Sequence, residues 1–257
     1  MKSKFIILGC GSSLGVPRAD GFWGNCDPKE KKNYRTRCSA FIQSDAGNIL
    51  IDTSPDLRAQ LIKNNIKNID HVLYTHMHGD QVHGINDLRV FSLKLQKKIS
   101  VYADMETRKY LKNNFSYCFF NTPNYKSILK MNNLKKDFYL KKNNKSISIK
   151  SIKVQHGLIK SQSFIVNKSC AYISDANKIY KQDFKFLKNI KFLVIDCFRF
   201  DTHFSHFCLK DIIDLNSILK PYKTILTNLS SELDYNYLVK NLPKKIVPAY
   251  DGMSFYI

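Results

Sequence analysis

Short apolar runs alternate with amphipathic stretches along the whole chain, a pattern that favours a mixed α and β fold over an all-helical one. Helical spacing of apolar residues predicts helices at 105–112, 209–219 and 233–239. Ser54 as an N-cap, followed by Pro55, predicts another helix at 55–64. The apolar runs predict strands at 4–8, 39–42, 48–52, 70–74, 99–102, 146–154, 163–166, 170–174, 192–196, 224–227 and 245–248.

The segment 129–145 is rich in Lys and Asn and has the composition of a linker. Candidate ligand residues lie on both sides of it, so we expect a surface excursion within a single domain that spans residues 1–257. A chain of 257 residues is long enough to bury one large core.

The lengths of the apolar runs argue against membrane insertion and export. Each run is a handful of residues, whereas a membrane span needs about 20. The first run breaks at Gly9, short of the roughly 7 to 15 residues of an export signal. The seven cysteines are scattered without a C-x-x-C pair, as expected for reduced thiols. We therefore expect a cytoplasmic protein.

The charge balance leaves two explanations open. The chain has 41 basic and 21 acidic residues and a formal net charge of +20, which is typical of proteins with a nucleic-acid partner. Most of the basic residues are lysines interleaved with Asn and Ile, a pattern that compositional bias also produces. A nucleic-acid surface requires these charges to cluster on one face.

The strongest chemical signal follows the predicted strand at 70–74. His76 and His78 are two residues apart at a strand end and can reach one ion, and Asp80 adds a carboxylate from the next turn. His156 and Asp175 each follow a later predicted strand. Imidazole and carboxylate are the usual ligands for zinc and similar ions, so these residues predict a metal site.

The order of these residues resembles the H-x-H-x-D-H signature, lone histidine and bridging aspartate of the metallo-β-lactamase superfamily. The resemblance covers nearly the whole chain and implies an αββα sandwich of two mixed β-sheets flanked by helices, with the site at one edge of the sheets. Further segments are similar to the phosphoribosyl cyclic phosphate phosphodiesterase branch: LGCGSSLGVPR (8–18), GNCDP (24–28), LIDTSPDLR (50–58), THMHGDQVHGINDLR (75–89), H-x-x-H (203–206) and AYDGM (249–253).

The chain departs from the family pattern at Gln81 and Asn228, where the family has histidines. In the family these positions hold a second metal ion together with Asp80 and the bridging Asp175. Neutral amides are poor ligands for zinc, so we expect one tightly bound zinc ion at the first position. An oxygen-rich second site would suit Mn or Mg instead, and His83 is a further candidate ligand there.

The resemblance also implies roles beside the metal. Asp52 should accept a hydrogen bond from a ligand imidazole. Asp80 and His206 should be catalytic, with His206 beside the substrate to stabilise charge or protonate the leaving oxygen. The candidates for phosphate contact are Arg58, Arg89 and His203.

These features and the resemblance predict a metal-dependent hydrolase whose substrate is a small or cyclic phosphodiester, cleaved by attack of metal hydroxide on phosphorus. One alternative is a nuclease of the tRNA 3′-end processing type, which the net charge suits, although the chain has no long arm rich in Gly and Pro. The other is a metal-poor relative that binds a ligand without turnover, which the changes at Gln81 and Asn228 favour. Metal content and salt-dependent binding of tRNA distinguish the three.

Overall fold

The computed structural model describes residues 2–257, which form two β-sheets with helices on their outer faces. The strands are β1 (Lys4–Gly9), β2 (Ser39–Gln43), β3 (Ile49–Ile51), β4 (His71–Leu73), β5 (Ile99–Ala103), β6 (Leu129–Asn133), β7 (Asp137–Lys142), β8 (Lys145–His156), β9 (Ile159–Val166), β10 (Cys170–Ile173), β11 (Lys178–Ile179), β12 (Phe192–Asp196), β13 (Lys223–Thr227), β14 (Ile246–Pro248) and β15 (Ser254–Tyr256). The α-helices are α1 (Leu57–Lys63), α2 (Gly79–Val82), α3 (Arg89–Leu95), α4 (Met105–Asn114), α5 (Ser116–Phe119), α6 (Phe184–Leu187), α7 (Leu209–Leu219) and α8 (Tyr235–Asn241), and short 3-10 helices lie at Lys31–Asn33, His83–Leu88 and Lys181–Asp183.

Both sheets mix parallel and antiparallel strands. The first has the order β15-β1-β2-β3-β4-β5-β6, and β3 to β6 run parallel. The second has the order β11-β8-β9-β10-β12-β13-β14, with β7 also pairing with β8, and β10, β12, β13 and β14 run parallel. This architecture confirms the αββα sandwich expected from the sequence.

The core has three layers because the central strands are apolar on both faces. Successive side chains of a strand point to opposite faces, so Phe5 and Ile7 of β1 pack between the two sheets. Ile6 and Leu8 of the same strand pack beneath the helices that cover the first sheet. A third apolar cluster, which includes Ile212 of α7, covers the outer face of the second sheet.

Two of the four predicted helices agree with the structure, and the other two, α1 and α8, each begin two residues later than predicted. The structure has α7 at the predicted bounds and extends α4 to Asn114. The first helix begins at Leu57 and not at Pro55, because Ser54 forms a turn in which its hydroxyl and carbonyl oxygens accept from the Asp56 and Leu57 amides. No helix within residues 2–257 has both the length and the apolar character needed to cross a membrane.

The segment 129–145, where the sequence predicted no strand, forms β6 and β7. The first pairs with β5 in parallel, and the second pairs with β8 in antiparallel register. Leu129 and Leu140 point into the core, while lysines occupy exposed positions between them. Charged side chains are common on strands at or near a sheet edge, which explains why composition alone indicated a linker.

Parallel strands bring several polar residues to one end of the sandwich. In the first sheet, Asp52 follows β3 and Thr75 closely follows β4. In the second sheet, Asp175 follows β10 by two residues, Asp196 ends β12 and Asn228 follows β13. Because neighbouring parallel strands end at the same edge, the sheet order places the latter three residues side by side.

The half-buried His71 of β4 predicts that the stability of the fold falls in acid. Burial lowers the pKa of His71 to about 4, against the opposing charge of Asp70. The unfolded chain therefore binds a proton at His71 more tightly than the folded chain does. The contribution of neutral His71 to the free energy of unfolding is fully present above about pH 6.5 and is lost as the pH falls towards 4. Relative to the wild type, His71→Phe should gain about 1–2 kcal/mol in unfolding free energy between pH 7.5 and pH 5. Denaturant unfolding of both metal-free proteins measures this difference, and identical pH slopes would contradict it.

Candidate metal centre

Three imidazoles meet at the end of the sandwich. His76 and His78 lie in the loop after β4, and His156 ends β8 in the other sheet. Their ring centroids are 4.5 to 5.2 Å apart. One ring nitrogen of each lies within 4.8 Å of the other two, so the three can ligate one ion.

A hydrogen-bonded relay orients His76. The carboxylate of Asp52 accepts from the backbone N–H and the hydroxyl of Thr75, each at 2.8 Å. Since the Thr75 hydroxyl donates to Asp52, its oxygen accepts from His76 Nδ1 at 3.0 Å. The expected direct bond between Asp52 and a ligand imidazole is therefore wrong, because Thr75 lies between them. The relay leaves His76 Nε2 free for a ligand bond.

His156 is oriented in the same manner by a backbone group. Its Nδ1 donates to the carbonyl oxygen of Ser205 at 2.8 Å, which leaves Nε2 unprotonated. Burial lowers the pKa of His156 to about 4, and burial with the neighbouring imidazoles lowers the pKa of His76 well below its usual range. Both rings are therefore neutral near pH 7, the form that binds metal.

A metal ion fits this cluster. His76 Nε2 is buried and has no hydrogen-bond partner among residues 2–257. A buried nitrogen lone pair without a partner is costly unless a cation or donor satisfies it. Three imidazoles with one carboxylate nearby are a donor set that suits zinc and similar transition metals.

The carboxylate of Asp175 connects the two sheets. Its Oδ2 accepts from Gln81 Nε2 at 3.0 Å, and its Oδ1 accepts from Asn228 Nδ2 at 3.2 Å. Burial, together with the charge of Asp80, raises the pKa of Asp175 to about 8. The two amides and the His206 ring, whose Nδ1 lies 4.0 Å from Oδ1, surround this carboxylate.

The same two amides occupy the second metal position of the family pattern. Gln81 Nε2 also donates to Asp80 at 3.2 Å, and Asn228 Nδ2 also donates to the carbonyl oxygen of Ser174 at 3.0 Å. The N–H groups of these amides donate hydrogen bonds to the carboxylates and cannot ligate an ion, and amide oxygens are poor ligands for zinc. The arrangement therefore does not fit a second zinc ion, and hydrogen bonds connect the residues that would hold it.

His83 does not complete the second position. Its side chain is exposed, and its ring centroid lies 6.1 Å from that of Phe115. A Cβ built on Gly79 would lie 2.9 Å from a carbon of the His83 ring, so the imidazole lies beside that turn. Within residues 2–257, His83 belongs to neither group of side chains that can hold a metal ion.

His206 forms a second cluster with His156 and Asp175, in which ligand atoms lie within 4.8 Å of one another. Its Nδ1 is 2.7 Å from Oδ2 of Asp196, and its ring stacks on Phe198 with centroids 4.9 Å apart. Burial alone would lower the pKa of His206, but the charges of Asp196 and Asp175 raise it above its usual range. His206 is therefore an imidazolium paired with the buried Asp196.

Asp196 is a site residue that the sequence alone does not reveal. Its signal is an aspartate that ends the otherwise apolar strand Phe192–Asp196. The neighbouring strand β10 leads to Asp175, and Asn228 follows β13 on the other side. Only the order of these strands shows that the three polar residues are neighbours.

The three candidates for phosphate contact lie in different surroundings. His203 lies near the centre, with its ring centroid 5.2 Å from that of His206. Arg89 places its guanidinium over the Tyr125 ring at 4.4 Å, and Arg58 is exposed on α1. Phosphate contact by these residues remains a prediction.

Comparison with known proteins identifies relatives along most of the chain. The family model described as the beta-lactamase superfamily domain matches residues 47–227. A Porphyromonas gingivalis protein named octanoyltransferase is 30% identical over 259 residues, which cover 99% of this chain and 51% of that protein. The chain thus spans about half the length of this curated relative.

Solved structures share the fold over nearly its whole length. A diphosphatase from the PhnP family has a TM-score of 0.89 and 27% identity, covering 100% of this chain and 98% of that one. Zinc-bound PqqB from Methylobacterium extorquens has a TM-score of 0.77 and 16% identity, and the match covers 98% of this chain and 99% of that one. The short form of human tRNase Z has a TM-score of 0.71 and 15% identity, covering 98% of each chain.

The hydrogen bonds of Gln81 and Asn228 predict one transition-metal ion per chain. They also predict that replacing both amides with histidine creates a second metal site. The double substitution Gln81→His with Asn228→His should restore binding of two zinc ions, because Asp80 and Asp175 remain to complete the site. Asn228 has a φ of 61°, a conformation that histidine adopts more readily than most residues. Each single change supplies only one imidazole and should have much less effect, so the two substitutions should be strongly non-additive.

Zinc stoichiometry and affinity of the wild type, the two single variants and the double variant measure this coupling. Elemental analysis should use protein purified without a chelator or a polyhistidine tag. Two zinc ions retained by the dialysed wild type, or only one by the double variant, would contradict the assignment.

Proposed function

Since this chain belongs to the metallo-β-lactamase superfamily, we propose that it is a metal-dependent hydrolase that cleaves a small or cyclic phosphodiester with one metal ion. His76, His78, His156 and Asp175 would hold this ion, typically zinc in such sites. The observation that carries the proposal is the placement of His206, whose Nδ1 lies 2.7 Å from Oδ2 of Asp196 and whose ring is 4.8 Å from that of the ligand candidate His156.

The bound ion would supply Lewis-acid stabilisation of the phosphoryl oxygens and activation of water. The protein itself orients the imidazole rings that would bind the ion. Thr75 and Ser205 fix the rings of His76 and His156 through their Nδ1 atoms, so the Nε2 atoms keep their direction. Asp80, beside Gln81, supplies a carboxylate for positioning water or accepting its proton.

His206 has the charge and the position to act on the substrate. Its Nδ1 is committed to Asp196, which leaves the other ring nitrogen as a donor. A fixed positive donor beside a reacting phosphate stabilises the charge that develops on the phosphoryl oxygens or protonates the leaving oxygen. Asp196 acts through His206 as a positioning residue.

The choice of a small phosphodiester has two supports. The segments around Leu8, Leu50 and Thr75 are similar to those of the cyclic phosphate phosphodiesterase branch. The relative with 27% identity and a TM-score of 0.89 is a diphosphatase from the PhnP family, which also acts at phosphorus.

A tRNA-processing nuclease is the second candidate, because five basic side chains line one cavity, together with the carboxylates of Asp104 and Asp183. A cavity of about 730 Å³ lies at the edge of β8, where Lys153 is three residues before His156, about 10 Å along the strand. This clustering suits a phosphate backbone, and salt-dependent binding of tRNA tests it. The basic residues that line the cavity are Arg108, Lys135, Lys136, Lys153 and Lys160.

His206→Ala should lower the turnover of a generic phosphodiester by about 10- to 10³-fold and leave the metal content unchanged, as expected for loss of one acid or charge-stabilising group. Asp196→Asn should lower kcat in the same direction, because the amide keeps the contact but removes the charge that holds the imidazolium. Steady-state kinetics and elemental analysis measure both effects.

His83→Ala is the matched control, since this histidine is exposed and outside both clusters among residues 2–257. It should retain wild-type turnover. Loss of the metal from His206→Ala would make His206 a ligand, and an unchanged rate would remove it from the reaction.

A further inference from the structure

An exposed aromatic ring lies beside the metal centre. Phe204 is 75% exposed, and it lies in the loop between β12 and α7 that also carries His203 and His206. Leu158, two residues after His156, is 98% exposed. Single exposed apolar residues are common, but these two flank Gly157, directly after a candidate metal ligand.

The backbone around Phe204 is held in place. Asn177 donates from Nδ2 to the Phe204 carbonyl oxygen at 2.9 Å and accepts from the Gly157 N–H at 3.1 Å. The next residue, Ser205, accepts the bond from His156. Phe204 therefore has a fixed position relative to the metal centre, although its ring is exposed.

Gly157 makes room for the ring. Its φ is 58°, and a Cβ on this residue would lie 3.2 Å from Cε2 of Phe204 and 3.0 Å from Cβ of Ser205. The turn after His156 therefore passes directly beside the Phe204 ring. A glycine suits both the left-handed backbone and the close approach.

His203 lies between Phe204 and the centre. Its ring centroid is 5.2 Å from that of His206 and 4.8 Å from that of Phe204. One imidazole ring therefore connects Phe204 to the histidine proposed to contact phosphate. A nucleoside separates its base from its phosphate by one sugar, a distance of the same scale.

We propose that Phe204 binds the base of a nucleoside phosphodiester by stacking, with Leu158 extending the apolar surface. The inference rests on the proposed function and specifies its substrate class. Every nucleobase has a π face, and an exposed aromatic ring binds such a face with little dependence on sequence. The base would lie outside the reaction centre and contribute to binding. Loss of the stacking contact should therefore raise KM more than it lowers kcat.

The test compares adenosine 2′,3′-cyclic phosphate with ribose 2,3-cyclic phosphate, which lacks the base. Phe204→Ala should raise KM for the adenosine compound about 5- to 30-fold and leave kinetics with the ribose compound unchanged, in keeping with loss of one stacking contact. Phe204→Trp should restore the preference, and Phe204→Leu should restore it only in part because it lacks a π face. Tyr139→Ala, which removes a 65% exposed aromatic ring on β7, is the control and should change neither substrate's kinetics.

Metal content and thermal unfolding establish that each variant is folded and loaded. Equal losses with both substrates would give Phe204 a structural role towards His206 and overturn the inference. No preference of the wild type for the adenosine compound, with the ribose compound turned over, would overturn it and leave the proposed function intact. If the loaded wild type hydrolyses neither compound, nor a generic phosphodiester, both proposals fail.

Discussion

A buried carboxylate must be satisfied by hydrogen bonds or by a cation, and this requirement at Asp175 organises the whole centre. Gln81 reaches it from the first sheet's side and Asn228 from the end of β13 in the second sheet. The same carboxylate lies with His156 and His206 in one cluster. The contacts of Asp175 therefore join the two sheets at the edge where the imidazoles meet.

The exchange of two imidazoles for two amides changes the electrostatics of the centre. A second ion would bring two positive charges to Asp80 and Asp175, whereas the amides bring only dipoles. The imidazolium of His206 is the positive charge that the protein itself places there, and Asp196 holds it. A second cation would stabilise the carboxylates of Asp80 and Asp175. In this protein, hydrogen bonds and one ionised side chain provide part of that stabilisation.

The sequence was sufficient to predict the sandwich and the cluster of His76, His78 and His156, because these residues follow apolar strands in a recognisable order. It was not sufficient for Asp196, whose neighbours are set by the order β10-β12-β13. Nor did it show that Thr75 lies between Asp52 and His76, since that contact depends on the orientation of one hydroxyl group. The lysine-rich strands β6 and β7 were missed because their exposed positions dominate their composition.

The bonds that orient His76 and His156 also bear on how an ion would enter the centre. Thr75 and Ser205 aim these rings through contacts within the folded chain, and none of the three histidines belongs to the large apolar layers around them. In small zinc domains the ion itself drives folding, so the unmetallated chain is unfolded. Here the protein's own hydrogen bonds aim the rings, so an incoming ion would meet a preorganised set of donors, and its binding would require little rearrangement of the polypeptide.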